Sequence, residues 1–151
     1  MKITNVTTQL MRIPFTEYLR AAYGGRSHAS YLLVTIETDE GTVGYGEHDG
    51  LFYETADAFI HSELKPLLVG EDPLQIEFLT HKLEHFLIWN SFAAYPIAAI
   101  DMALYDIKGK KLGVPVYELL GGMYREKMEV TGLIHMHSVE ENVASAVRLK
   151  E

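Results

Sequence analysis

Residues 98–122 read AAIDMALYDIKGKKLGVPVYELLGG, and this stretch decides the fold. Its first half is apolar nearly all round through Ala98, Ala99, Ile100, Ala103 and Leu104, the composition of a helix that is buried. The spacing predicts that helix over Tyr95 to Lys111, stopped by Gly113 and Pro115. A short turn, Val116 to Leu120, follows and ends at Gly121-Gly122. Asp101, Asp106 and Lys108 fall inside the helix, where each charge needs a partner. Structural hydrogen bonding is the expectation for all three.

Working back from that helix, the middle of the chain is also helical. Ala56, Phe59, Ile60, Leu64, Leu67 and Leu68 recur on one face, and Gly70 closes the segment. Pro66 sits late in it and is expected to kink or tighten the last turn. Asp72-Pro73 reads as the N-cap and first-turn proline of a second helix, whose apolar face is Leu74, Phe78, Leu79, Leu83, Phe86 and Leu87.

The first third reads as strands. Ile3 to Pro14 mixes β-branched and polar residues as an antiparallel strand does. Tyr31 to Thr38, the turn Asp39-Glu40-Gly41 and Thr42 to Glu47 form a hairpin. Between them, Phe15 to Ser30 reads as a long loop with Gly24-Gly25 at its middle, a length often associated with function. Beyond residue 122, Met128 to Met136 suits a strand and Val139 to Lys150 an amphipathic helix. A β-α unit normally delivers the chain to a second parallel strand. The chain stops at Glu151 first, which reads as a fragment of a longer protein.

Composition narrows the function classes. The 151 residues carry 13 basic and 21 acidic side chains, a net charge of −8. Residues 1–30 hold Lys2, Arg12, Arg20 and Arg26 against Glu17 alone, so this stretch is +3 and the remainder −11. An acidic body argues against nucleic acid as a partner, whereas the basic stretch suits either a small anion or simple solvation. No apolar run reaches the roughly 20 residues of a membrane span, so no membrane partner is expected. There is no cysteine, which removes thiol chemistry and makes a reducing cytoplasm the simpler location.

Several constellations compete. His81-Lys82-Leu83-Glu84-His85 matches the H-x-x-E-H zinc pattern, but its alternating charge is that of a solvated helix face and no third ligand is identifiable. His135 and His137 point the same way on a strand, as substrate contacts or as a satisfied edge pair. Gly44-Tyr45-Gly46 lacks the third glycine and following helix of a dinucleotide fingerprint. Glu47, His48 and Asp49 close the hairpin, where His48 could serve acid-base chemistry or stabilise the turn.

Taken together, Ala98 to Gly122 closely resembles the signature of the mandelate racemase/muconate lactonizing enzyme family of the enolase superfamily. Pro96 departs from it, standing where a small residue is commoner. The order of strand, long loop, hairpin ending in Gly44-Tyr45-Gly46-Glu47 and three helices fits as well. The resemblance implies an α+β capping domain over residues 1–123, an antiparallel meander followed by helices. Residues 124–151 would then be the first strand and helix of an incomplete (β/α)7β barrel.

The same resemblance implies the chemistry. Family members abstract a proton alpha to a small carboxylate substrate and stabilise the enediolate with a divalent metal, usually Mg2+, as racemases, cycloisomerases or acid-sugar dehydratases. Their bases and acidic metal ligands lie on later barrel strands, so no catalytic and no metal-binding residue is assigned within this chain. Its contribution would be the lid, formed by the loops Phe15 to Ala29 and His48 to Glu54. Arg20 and Arg26 suit a substrate carboxylate, Tyr18, Tyr23, Phe52 and Tyr53 the wall, and His28 and His48 further hydrogen bonds. A homo-oligomer is expected. The rival reading is a self-contained binding or interaction module without catalysis.

Overall fold

The computed structural model describes residues 1–22, 24–49, 52–88, 91–134 and 137–150. Its compact units are two: Met1–Met11 with Ser30–Met123, and Arg12–Ala29 with Tyr124–Glu151.

Three strands, β1 (Ile3–Ala21), β2 (Gly24–Thr38) and β3 (Val43–Asp49), form one sheet in the order β1-β2-β3. β2 and β3 pair antiparallel from Tyr31↔Asp49 to Glu37↔Val43. Their turn is closed by Gly41, whose N–H donates to the Thr38 carbonyl at 3.1 Å, and by the Thr38 hydroxyl donating to the Thr42 carbonyl at 2.8 Å. Alternate residues of β2, namely Leu32, Val34 and Ile36, are buried, the period of a half-covered sheet.

The facing layer is helical. A run of helix begins with α1 (Tyr53–Phe59), widens into a π turn over Ile60–Leu64 and ends as α2 (Lys65–Leu68). The widening answers Pro66, which has no N–H for the carbonyl four residues back and whose ring would strike it. Instead the Lys65 N–H reaches the Ile60 carbonyl. Ala56, Ile60, Leu64 and Leu68 are all fully buried, as the sequence reading expected. Next come α3 (Ile76–Glu84), short 3-10 turns at His85–Ile88 and Ser91–Ala93, α4 (Ala94–Leu112) and α5 (Val116–Leu119). Gly113 ends α4 in the left-handed region at φ 69°.

The Gly44-Tyr45-Gly46 stretch of β3 owes its glycines to α4. A Cβ at Gly44 would lie under 3.0 Å from the Ala103 carbonyl, and one at Gly46 under 3.0 Å from that of Ala99. Small residues on both sides thus let strand and helix backbones touch. Asp106 fastens the contact by accepting the Tyr45 N–H at 2.9 Å and the Lys110 ammonium at 2.6 Å. Asp101 is half-buried and accepts the Thr80 hydroxyl at 3.2 Å, so both acids have structural partners.

Four expectations are corrected. The stretch from Phe15 to Ser30 is no loop: β1 and β2 continue through it as a ribbon, with Gly24 turning the chain at φ 124°. Asp72-Pro73 is not the cap of α3, because the Asp72 carboxylate takes the Leu74 N–H at 3.0 Å in a tight turn and Gln75 precedes the helix. Phe78 and Leu87 are exposed and Ile76 is buried in their stead. Finally, residues 128–134 carry no strand. A parallel strand draws its ladder from neighbours, and among the described residues no other strand pairs with this segment. His135 and Met136 lie outside the described residues, whereas the expected helix forms as α6 (Val139–Lys150).

Candidate functional site

Within the unit made of residues 12–29 and 124–151, the ribbon residues Tyr18, Arg20, Ala21, Gly24 and Gly25, with His137 and Ser138, line an open depression of about 580 Å³. Tyr18 and Arg20 are two apart on β1 and therefore share a face. The Tyr18 ring lies across Gly25, where any Cβ would fall under 3.0 Å from it. A side chain there would have to displace the exposed Tyr18 ring.

The other wall begins α6. The Ser138 hydroxyl accepts the Glu141 N–H at 3.2 Å, and the Glu141 carboxylate accepts the Ser138 N–H at 2.9 Å, a reciprocal capping box. The Ser138 N–H does most to hold the Glu141 carboxyl below its usual range; the Ser138 side chain, His137 and Arg20 add to it. Arg20 is exposed and forms no ion pair among the described residues. Its guanidinium is therefore available to an anion.

The remaining candidates fall elsewhere. Arg26 is exposed and stands outside this depression, and His28 places Nδ1 3.2 Å from the Ser27 hydroxyl. Tyr23 lies outside the described residues. In the other unit, Tyr53 packs partly buried against the core. Phe52 is 71% exposed and takes the left-handed conformation at φ 56°.

His48 is the least expected. Its side chain is 3% exposed, and neither ring nitrogen has a hydrogen-bond partner among the described residues. It neither stabilises the turn by hydrogen bonding to them nor presents its nitrogens to solvent. Instead the imidazole stacks on Tyr95 at 5.8 Å and meets Phe92 edge-on at 6.4 Å. Phe92 and Tyr95 were not singled out by the sequence reading, although the aromatic run ahead of the buried helix signals them. Burial pulls the His48 pKa down, with the Asp49 carboxylate opposing it.

Among the described residues no group of three or more His, Asp or Glu side chains is placed to hold a metal ion. In the H-x-x-E-H segment His85 spends Nδ1 on the Lys82 carbonyl at 2.9 Å and stacks on Phe86. The described residues therefore do not fit a Mg2+ site. No helix among the described residues is long and apolar enough to cross a membrane.

Comparison with known proteins places this geometry in context. The profile of the mandelate racemase/muconate lactonizing enzyme N-terminal domain matches residues 2–121. The N-succinyl-L-Arg/Lys racemase of Bacillus cereus is 35% identical over 99% of this chain and 41% of its own length. A D-galactonate dehydratase of Pectobacterium atrosepticum is 37% identical over 100% of this chain and 36% of its own. The crystal structure of 2-chloromuconate cycloisomerase from Rhodococcus opacus 1CP superposes with a TM-score of 0.88 at 26% identity, covering 98% of this chain and 42% of that one. The chain thus spans about two-fifths of the length of the relatives it matches.

Proposed function

This chain belongs to the mandelate racemase/muconate lactonizing enzyme family, and from that premise we propose that it is the substrate-covering part of an enzyme that removes the proton alpha to a carboxylate. Its relatives are racemases, epimerases, dehydratases and cycloisomerases. Racemisation and epimerisation of an amino-acid derivative, and dehydration of a sugar acid, can all begin with loss of that same proton. In the family the bases and the metal that stabilises the enediolate belong to later barrel strands.

The chain's own contribution is binding and exclusion of water. Tyr18 and Arg20 on one face of the ribbon, opening onto the depression that His137 also lines, are the observation that carries this reading. A guanidinium takes a carboxylate through two parallel N–H donors, fixing its orientation as well as its position. The aromatic wall of Tyr18 lowers the local dielectric, and electrostatic interactions strengthen as water leaves. Arg26 stands outside the depression and has the lesser part in this reading.

The test is exchange of the alpha proton in D2O. The enzyme that carries this sequence is offered N-succinyl amino acids, dipeptides and sugar acids, and deuterium uptake is followed by NMR. Uptake into at least one class supports the reading. Tight binding of such acids with no uptake in any class would favour the non-catalytic module instead.

A further inference from the structure

The feature left unused is the orphaned histidine. His48 sits at the end of β3 with both nitrogens enclosed, stacked on Tyr95 and touching the edge of Phe92. Phe92 in turn meets Phe52 edge-on at 6.2 Å. Four rings therefore run in series from Tyr95 to Phe52. The outer ring belongs to the sole non-glycine residue with positive φ among those described. A bulky side chain in that conformation is strained and persists only when its surroundings hold it.

We propose that His48 is a pH-sensitive latch: neutral, it completes the ring stack that holds Phe52 in place, and protonated, it opens the stack and frees Phe52. This rests on the reading of the segment after β3 as part of the substrate cover, and it supplies that cover's regulation.

The groups facing His48 decide the direction. Across the sheet its partner is Leu32, which is apolar and buried. From α4 and the 3-10 turn before it come the rings of Tyr95 and Phe92. On its own strand Asp49 is the one charge that favours the imidazolium, and desolvation outweighs it. An imidazolium carries two N–H donors, and the described residues offer no acceptor to either nitrogen. Proton uptake therefore requires access to water, and the strained end of the stack is the part that gains by moving.

The sign follows from the lowered pKa of the closed form. Above the ordinary histidine value of about 6.5 the closed arrangement has its full stability. As pH falls below that value the open form takes up the proton first, and closure weakens progressively.

The experiment is an NMR titration of the chain from pH 8 to 5, following the His48 ring and the Phe52–Phe92 nuclear Overhauser effect. His48→Phe, which keeps a ring and cannot be charged, is titrated alongside. The expected result is a His48 midpoint below about 6.5, disappearance of the Phe52–Phe92 signal with that same midpoint, and a signal that persists to pH 5 in the variant. A His48 midpoint at or above the ordinary value, or a Phe52–Phe92 signal that survives its protonation, overturns the proposal. So does a signal that fades over the same pH range in the variant; if His48→Phe does not fold, coincidence of the two wild-type midpoints decides alone. The titration reads the chain itself, so a failed turnover assay would refute the proposed function and leave this result standing.

Discussion

Gly46 and the Ala99 carbonyl are in backbone-to-backbone contact, and no side chain can stand between them. β3 and α4 meet along this line, with Gly44 set against Ala103 one turn further on. A backbone carbonyl inside a buried helix cannot swing away, so an added methyl must push the two layers apart.

Gly46→Ala is therefore expected to destabilise the chain by at least the about 1–3 kcal/mol typical of overpacking. Glu47→Ala, an exposed neighbour, should stay within about 0.5 kcal/mol of wild type. Urea unfolding of both variants checks this. A Gly46→Ala midpoint equal to that of Glu47→Ala would mean that the layers are more loosely packed than they look.

Arg20 and Arg26 should behave differently, because only Arg20 lines the depression beside Tyr18 and His137. Breaking a desolvated carboxylate pair costs about 2–5 kcal/mol. In the enzyme carrying this sequence, Arg20→Ala should thus lower kcat/KM at least tenfold with an unchanged melting temperature, since about 1.4 kcal/mol is one decade. Arg26→Ala should have the smaller effect. Equal kcat/KM for wild type and Arg20→Ala would remove Arg20 from the substrate.

Asp101 gives a pH signature. Burial raises its pKa most, the Glu77 charge adds to it, and the Thr80 hydroxyl opposes the shift. The folded chain then holds this proton more firmly than the unfolded one, so the carboxyl weakens the fold at neutral pH and ceases to do so as pH falls towards the ordinary aspartate value of about 3.9. Asp101→Asn keeps an acceptor for Thr80 and removes the charge. Its melting temperature should exceed that of wild type at pH 7, with the gap closing towards pH 4. A gap that widens on acidification would contradict the burial argument.

On the proposed reading, in which the bases and metal ligands lie on later strands as the family resemblance implies, the 151-residue chain assayed alone with Mg2+ should show no alpha-proton exchange on any carboxylate that the whole enzyme turns over. Exchange abolished by a chelator would place the chemistry inside these residues.

Much of the first unit was legible because hydrophobic period and glycine punctuation act locally. α4 could be read from Ala99, Ile100, Ala103 and Leu104, and its end from Gly113. Which side of it is covered could not, and Tyr95 and Met102 are exposed although the composition is apolar all round. Asp72-Pro73 misled because an aspartate that accepts an N–H two residues on looks, in sequence, like one that caps a helix. Gly24-Gly25 read as a loop because the same glycine that ends a strand also turns a ribbon. Had the ribbon been foreseen, the two-residue spacing of Tyr18 and Arg20 would have put them on one face at once. Phe92 and Tyr95 are visible as aromatics ahead of the buried helix, but their pairing with His48, more than forty positions earlier, is set by tertiary packing alone.

The π turn at Ile60–Leu64 has one more implication. Ala56, Ile60, Leu64 and Leu68 are spaced by fours, yet an α-helix overshoots a full circle by about 40° every four residues. Over three such steps an unbroken helix would carry the last leucine about 120° off the seam. The wide turn resets the phase, so every member of the series meets the sheet side. Substitutions along this run are thus a question of volume, but a change of length is a question of angle. Removing a single residue between Ile60 and Leu64 from a helix that kept its winding would rotate everything after it by about 100°, turning Leu64 and Leu68 away from the core and bringing Lys65 to the place that Leu64 held.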